Sequence, residues 1–239
     1  MASIVPRWKT AITSALAEHE KSVVFQLATI DPTTPVPLVR SHIFRASLSP
    51  TSSPSLSLIV TTTDIRTPKV SQIVSNPHVQ LAWWIDGTQE QFRITGLASV
   101  IPFPTHALYR HFIDNAKNAL SGSALAGLNR EGFDWEAQRQ KMFKGMSGHM
   151  KASWCRPVPG SPLVGGEEEA KRWPVKLEEP REDSDEETKK NWETALGNFA
   201  LVIVDPTDVD MVELGVVPNR RSRFWRTASG EWESEALVP

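Results

Sequence analysis

Residues 61–69 place hydroxyl and basic side chains around the predicted start of a short helix, in the run TTTDIRTPK. Thr67 suits the N-cap, and Pro68 suits the first helical position because its missing N–H is not needed there. Free N–H groups and the positive end of the helix dipole at such a start favour a phosphate. The side chains that would add charge or hydrogen bonds are Thr62, Thr63, Arg66, Thr67 and Lys69. The alternative is an ordinary capped surface helix with solvated cations.

A second polar group lies in the strand predicted at 38–46, within the run RSHIFR. Arg40 and Arg45 are an odd number of residues apart, so strand alternation places them on opposite faces. A half-buried strand rarely carries two arginines without anionic partners. This favours a ligand phosphate for one arginine and a substrate or carboxylate for the other. The alternative is edge-strand charge that prevents aggregation.

Two later segments carry polar side chains suited to a ring-shaped ligand. Gln91 opens the run QFRITG and offers both a donor and an acceptor to a heteroaromatic edge. The alternative is a plain strand with polar outer positions. Arg221 lies in the run RRSR before Phe224 and Trp225. A basic cluster against aromatic side chains suits a phosphorylated ring or a nucleic acid, and the alternative is a solvated turn.

Common catalytic and metal-binding motifs are missing from the sequence. It has no G-x-G-x-x-G after a strand, no G-x-x-x-x-G-K-[ST], no H-E-x-x-H and no G-x-S-x-G. The six histidines lack the spacing of metal ligands, and the single cysteine, Cys155, excludes an internal disulfide and a site with several thiolates. We therefore predict no metal site and name no catalytic side chain.

The composition is that of an ordinary globular protein. The chain has 239 residues, with 26 Lys and Arg against 28 Asp and Glu, so its net charge is −2. This balance argues against a protein whose main task is to bind nucleic acid through a broad basic surface. No apolar run approaches the roughly 20 residues that span a bilayer, and MASIVPRWKT has no apolar stretch of signal-peptide length. We expect a cytoplasmic protein that binds neither membrane nor nucleic acid.

These segments must be positioned by a mainly β, α+β fold. Apolar patterning predicts helices at 5–20, 105–120 and 134–150, besides the short helix that ends at Asn76. Strands are predicted at 23–29, 38–46, 56–63, 79–85, 91–101, 199–204, 209–214, 223–227 and 232–237. Asp86-Gly87-Thr88 is a hairpin signal. Because no βα alternation suggests a parallel sheet, we predict an antiparallel barrel with peripheral helices.

The chain is expected to form a single domain over 1–239. Residues 160–190 lie in a stretch where Pro and Gly cluster first and acidic residues follow. We interpret this stretch as a flexible acidic surface insertion. An acidic interaction tail is the less favoured alternative, because strand patterns return after it.

The four polar segments, in this order, resemble the pyridoxamine 5′-phosphate oxidase family, and most closely its Alr4036-type FMN-binding branch. The most specific parts are TTTDIRTPKVSQIVSNPHVQLAWWIDGTQEQFRITG at 61–96 and the ending that begins with NFALVIVDPTDVDMVELG. The resemblance covers most of the chain apart from the acidic insertion. It implies a split β-barrel that forms a homodimer, with FMN in two clefts between the subunits.

The family pattern can be carried over to individual positions. It implies that Arg40 and nearby backbone hold the FMN phosphate and ring, that Gln91 contacts the isoalloxazine, and that Arg221 is a late FMN-contacting arginine. The complete set of FMN-binding residues that we predict is Arg40, Ser41, His42, Ile43, Arg45, Thr62, Thr63, Arg66, Thr67, Lys69, Gln91 and Arg221. In residues 146–159, Ser147, Lys151 or Ser153 is expected to reach the flavin of the partner subunit.

The departures from the family pattern bear on function. Arg45 stands where the family has a lysine that reaches FMN and substrate, and Pro68 replaces an arginine whose charge Arg66 can supply. The substrate-binding Arg-x-His pattern falls on residues 217–219, VPN, and is absent. FMN binding therefore carries over better than pyridoxine-phosphate oxidation.

Three functions follow from these observations. We predict an FMN-dependent oxidoreductase with an uncertain small-molecule substrate. The alternative is a non-catalytic flavin-binding or flavin-sensing protein that keeps the FMN site without the pyridoxine-phosphate site. A barrel that binds RNA or protein through its basic and aromatic surfaces is disfavoured by the balanced charge.

Overall fold

The computed structural model describes residues 5–239. Residues 1–4, which begin the predicted domain and the N-terminal segment considered above, lie outside the described residues. The strands are β1 (Val24–Ile30), β2 (Pro37–Ile43), β3 (Ala46–Leu48), β4 (Leu58–Asp64), β5 (His78–Ile85), β6 (Glu90–Ile101), β7 (Phe199–Glu213), β8 (Arg220–Arg226) and β9 (Trp232–Leu237). The helices are α1 (Arg7–Glu18), α2 (Pro68–Ser75), α3 (Leu108–Lys117), α4 (Ala124–Arg130), α5 (Trp135–Gly145), α6 (Gly148–Ser153), α7 (Gly166–Ala170) and α8 (Glu186–Asn198).

The strands of residues 5–239 form one antiparallel sheet. Its order is β2-β1-β5-β6-β7-β4-β3, and β8 and β9 extend it from β7. The sheet curls, so that β2 and β4 approach each other although they lie near its opposite ends: Nδ1 of His42 is 3.1 Å from Oγ1 of Thr61. The helices lie outside the curled sheet. The predicted antiparallel split barrel with peripheral helices is confirmed.

Strand β4 separates two hydrophobic cores because its side chains alternate between its faces. Ile59 belongs to the core inside the barrel, together with Phe25 and Trp83. Leu58 and Val60 point the other way, into a second core that the helices complete. Both faces of β4 are therefore buried, which explains its nearly continuous apolar and hydroxyl sequence.

The strand predicted at 38–46 is divided in the structure. The N–H of Phe44 donates to Val23 O at 2.7 Å, whereas the N–H of Arg45 donates to Val60 O at 2.8 Å. The chain thus changes its pairing partner between these two residues, and β2 ends before β3 begins. Alternation from Arg40 does not extend to Arg45, so the prediction that the two arginines lie on opposite faces of one strand is wrong.

Two further boundaries differ from the predictions. The strands predicted at 199–204 and 209–214 are one strand, β7, because both halves pair with β6. The register shifts between Thr95 and Gly96, opposite Pro206, and a Cβ on Gly96 would meet Asp205 O at 2.6 Å. The helix predicted at 134–150 is two helices, since Ser147 begins a new one as the N-cap of α6.

The acidic insertion predicted at 160–190 includes α7 and the start of α8. Leu177 is buried in the second core, and its N–H donates to Gly148 O at 3.0 Å. The Arg156 guanidinium donates to Pro174 O, with Nη2 at 2.9 Å. These contacts attach one part of the segment to the helices, while its flexibility stays a prediction.

In the described part of the chain, no helix is long and apolar enough to cross a membrane.

Candidate functional site

Two predicted site residues of β2 point to the inside of the barrel. Antiparallel partners share a face of the sheet, and Arg40 is opposite Leu27 while His42 is opposite Phe25. Leu27 and Phe25 belong to the barrel core, and the His42 ring stacks on Phe25 with 6.1 Å between ring centres. Arg40 and His42 therefore lie on the inner face of the sheet.

The Arg40 guanidinium is held by three acceptors inside the barrel. Nη1 donates to Thr29 Oγ1 at 2.6 Å and to Leu27 O at 3.3 Å. Nη2 donates to Gln72 Oε1 at 2.9 Å. Because all three acceptors are uncharged, the positive charge of Arg40 is oriented but not neutralised.

The end of β4 and the start of α2 bring three more predicted residues to this inner site. Lys69 Nζ donates to Thr63 Oγ1 at 3.2 Å, and Thr63 Oγ1 lies 3.2 Å from Thr67 Oγ1. Thr67 occupies the N-cap position as predicted, but its side chain accepts no helix N–H and donates instead to Asp64 O at 2.7 Å. Its hydroxyl therefore holds the turn before the helix and does not cap it.

The inner site is a region of uncompensated positive charge. Burial lowers the pKa of Arg40. Burial and the neighbouring Arg40 charge lower the pKa of Lys69, against a smaller opposing effect of the Asp64 carboxylate. Burial, followed by the charges of Lys69 and Arg40, lowers the pKa of His42 to about 4, so its imidazole is neutral at pH 7. Within residues 5–239, neither Arg40 nor Lys69 forms an ion pair. Such a site is suited to an anion.

Two buried nitrogen atoms of predicted site residues lack a protein partner among the described residues. They are Nε2 of His42 and Nε of Arg45. His42 is 5% exposed, and its other ring nitrogen faces Thr61 Oγ1. Buried polar atoms are rarely left without a partner, so these two nitrogens point to a bound polar group.

Arg66 does not join the uncompensated cations. Its Nε and Nη2 bind the Asp64 carboxylate, at 2.9 and 2.6 Å, and Nη1 donates to Arg156 O at 3.0 Å. Its guanidinium ties the turn before α2 to residues 154–156. Arg66 therefore has no free pair of N–H groups with which to make the predicted FMN contact.

Gln91 and Arg221 lie on the outer face of the same sheet. Gln91 is opposite Trp84 and Val212, and Arg221 is opposite Val212 as well. The Gln91 side chain accepts from Arg93 Nε at 3.0 Å. Since the sheet separates them from Arg40 and Lys69, one chain does not bring all the predicted residues to one ligand.

The Asp210 carboxylate neutralises the outer arginines. Arg221 donates to it from Nε at 3.0 Å and from Nη2 at 2.7 Å, and this bond raises the Arg221 pKa. Arg93 Nη1 also contacts Asp210, at 3.4 Å. The outer basic residues thus form ion pairs across neighbouring strands.

Three other predicted residues are separated from the inner site by strand alternation. Ser41 and Ile43 alternate with Arg40 and His42, so they lie on the outer face of β2. Thr62 lies between Thr61 and Thr63 on β4 and points toward the side of the second core. The side chains of these three residues do not contribute to the inner group of cations.

The side chains predicted to reach the partner's flavin make contacts within their own chain. Ser147 accepts the N–H of Met150 at 3.3 Å, and Ser153 Oγ donates to Met150 O at 2.6 Å. Lys151 is buried, donates to Lys144 O at 2.9 Å and lies over the Trp192 ring at 5.2 Å. Packing in the second core explains these positions, and their contact with a flavin stays a prediction.

Sequence reasoning missed Thr29, Thr61 and Gln72, which hold Arg40 and His42 in place. Thr29 continues the inward series of Phe25 and Leu27 on β1, so alternation could have identified it. Gln72 lies among the buried residues of α2, and a buried amide in an apolar helix face requires a polar partner. Which partner it has depends on tertiary structure.

Residues 5–102 match the family model of the pyridoxamine 5′-phosphate oxidase FMN-binding domain. This segment contains all the inner-site residues described above. The resemblance in the sequence is thereby confirmed, while the Alr4036-type branch stays a prediction. A search of curated proteins found no match to the chain.

Two solved structures resemble the whole chain. A pyridoxamine 5′-phosphate oxidase-related, FMN-binding protein from Nostoc punctiforme is 25% identical, with a TM-score of 0.69 over 99% of this chain and 100% of that one. PhzG from Burkholderia lata, solved in complex with tetrahydrophenazine-1-carboxylic acid, is 13% identical, with a TM-score of 0.59 over 100% of this chain and 94% of that one. The likeness to PhzG shows the fold alone.

Proposed function

We propose that this protein binds FMN and acts as an FMN-dependent oxidoreductase related to pyridoxamine 5′-phosphate oxidase. The observation that carries the proposal is the pair Arg40 and Lys69, two cations without a carboxylate partner in a segment that matches the family model of an FMN-binding domain. A phosphate monoester would supply the missing negative charge.

The residues present fit the phosphate end of FMN. Arg40 and Lys69 would bind its oxygens, while the Thr63 hydroxyl accepts from Lys69 and the Thr67 hydroxyl holds the adjoining turn through Asp64 O. Because Arg45 Nε is buried without a partner in the described chain, this guanidinium would donate to a polar atom of the cofactor. Bound FMN would supply the electron-transfer chemistry, and the protein would bind and orient it and exclude water.

A homodimer would complete the site. The second set of predicted residues, Gln91 and Arg221, lies on the outer face of the sheet and would reach a cofactor bound by the inner face of a partner subunit. The outer face also exposes apolar side chains: Val24 is 44% exposed, Val39 62% and Trp84 40%. An exposed apolar patch of this kind is typical of a protein interface.

The dimer is tested by measuring molar mass in solution, by light scattering after gel filtration. We expect twice the chain mass for the wild type. We expect a shift toward monomer for Trp84→Glu, which puts a charge into the apolar patch, and FMN affinity should fall with it. A wild type that is monomeric with FMN bound would contradict the shared site.

Non-catalytic flavin binding is the second candidate function. Residues 217–219 lack the substrate-binding Arg-x-His pattern of the oxidases, and Val217 is 96% exposed. The substrate of an oxidoreductase would therefore differ from pyridoxine 5′-phosphate.

The single cysteine fits a reducing compartment, and we propose the cytoplasm.

The test of the proposal is the absorbance spectrum of the purified protein, with the released cofactor identified by mass. We expect a yellow protein that releases FMN. A colourless protein that also fails to bind added FMN would overturn the proposal. If FMN is bound, turnover with a reductant and an acceptor distinguishes an oxidoreductase from a non-catalytic flavoprotein.

A further inference from the structure

Three side chains from three different elements form a closed triangle of hydrogen bonds behind the inner site. Arg40 of β2 donates to Thr29 of β1 at 2.6 Å and to Gln72 of α2 at 2.9 Å. The Thr29 hydroxyl donates in turn to Gln72 Oε1 at 2.6 Å. Thr29 is 1% and Gln72 2% exposed, so the triangle is fixed by the surrounding core.

The triangle uses one edge of the Arg40 guanidinium and leaves another free. Both N–H groups of Nη1 and one of Nη2 have protein acceptors. Among the described residues, no acceptor contacts Nε–H or the second N–H of Nη2. These two groups lie on the same edge of the planar guanidinium, the arrangement that binds two phosphate oxygens at once.

The acceptor opposite Arg40 is an amide and not a carboxylate. The Gln72 amide oxygen accepts from both Arg40 Nη2 and Thr29 Oγ1. A neutral oxygen orients the guanidinium without cancelling the charge that an anion would require.

We propose that Gln72 and Thr29 are positioning residues that present the Nε–Nη2 edge of Arg40 to the phosphate of FMN. The inference rests on the proposed FMN binding and names the residues on which its phosphate selectivity depends. Lys69 and Gln72 are one turn apart on α2, so the same short helix supplies one phosphate contact and orients the other.

The test compares the dissociation constants of FMN and riboflavin, which differ by the phosphate, using flavin fluorescence. For Gln72→Leu and Thr29→Val we expect FMN affinity to fall about 5- to 20-fold, which is less than the full loss of a charged hydrogen bond because the Arg40 charge remains, and riboflavin affinity to change less than about 2-fold. For Gln72→Glu we expect a larger loss for FMN, because the new carboxylate would pair with Arg40.

Ser71→Ala is the matched control. It is the exposed neighbour of Gln72 on α2, its hydroxyl donates only to Pro68 O, and it should leave both affinities unchanged. In Arg40→Met, adding Gln72→Leu should cost no further FMN affinity if Gln72 acts through Arg40.

The outcomes distinguish the two proposals. A wild type that binds neither flavin defeats the proposed function. The positioning role is overturned if the wild type prefers FMN and the variants keep the same ratio of FMN to riboflavin affinity. If Gln72→Leu does not fold, Thr29→Val, which removes one hydroxyl from a residue of similar shape, decides the matter by the same ratio.

Discussion

The two faces of one sheet carry two groups of basic residues with opposite electrostatic settings. On the inner face, Arg40 and Lys69 contact only uncharged oxygens, and burial lowers the pKa of both. On the outer face, Arg221 and Arg223 pair with Asp210 and Asp208, which raise their pKa values. Positive charge without a counter-ion marks the proposed phosphate site, whereas carboxylates already neutralise the outer arginines.

The predicted binding residues therefore differ in whether their charge is available to a ligand. A motif shows which residue types are present, but not whether their charge is already used. Arg66 lies three residues from Lys69, yet Asp64 neutralises it, while Lys69 keeps its charge. We therefore expect the inner cations Arg40 and Lys69, and not Arg66, to bind a phosphate.

The largest effect is expected from removing both inner cations. We expect the double variant Arg40→Met and Lys69→Met to lose about 150-fold or more in FMN affinity, since each charge-assisted bond contributes roughly 1.5–3 kcal/mol. Titration of the apoprotein with FMN measures this. Arg223→Met, which removes a neutralised outer cation, is the control, and an equal loss there would remove the distinction between the faces.

The next effect concerns the pH dependence of stability through His42. Its pKa of about 4 in the folded protein lies below the ordinary 6.5, so the unfolded chain binds the proton more readily between these values. Stability is therefore full above pH 6.5 and falls as the pH drops toward 4, by up to about 3 kcal/mol. Urea unfolding at pH 7 and pH 4.5 measures the change.

His42→Asn is the control for this pH dependence, because other groups also titrate in that range. It removes the ionisable ring and keeps a polar group beside Thr61. We expect the difference in unfolding free energy between pH 7 and pH 4.5 to be smaller in the variant. An identical difference would show that His42 is not the group responsible.

A smaller effect is expected on the outer face. Asp210→Asn removes the carboxylate that Arg221 and Arg93 share, and we expect the free energy of unfolding to fall by about 1 kcal/mol or less, as is usual for partly exposed ion pairs. Urea unfolding at neutral pH measures it. A loss of several kcal/mol would show that this pairing holds the sheet together.

The smallest effect is the response of FMN affinity to salt. Raising NaCl from about 50 to 500 mM screens exposed charges more than buried ones. We therefore expect FMN affinity to fall only a few-fold, and riboflavin affinity to stay nearly constant. A steep loss with salt would place the phosphate at the solvated surface instead of the inner site.

Several local features could be predicted from the sequence alone. The positions of Pro68 and Asn76 set the ends of α2, and Asp86-Gly87-Thr88 gave the hairpin between β5 and β6. Proline geometry and turn propensity act over a few residues, so they need no knowledge of distant partners. Period-two patterning likewise predicted the antiparallel barrel.

Other features depended on contacts between distant residues. The break after Ile43 arises because the chain changes partners from β1 to β4, and no local pattern records that change. The position of Lys151 also depends on a distant residue. We predicted that it contacts the flavin, and in the structure it packs on Trp192.

The sequence by itself indicated the resemblance to the pyridoxamine 5′-phosphate oxidase family, whose FMN-binding domain model matches residues 5–102, and it also indicated the residue types of a phosphate site. Only the tertiary structure decided which basic side chains keep an unpaired charge, because that depends on acceptors 11 to 32 residues away: Thr29 and Gln72 orient Arg40. It also decided that the predicted residues occupy two faces, since the face of a side chain is set by strand pairing and not by its order along the chain.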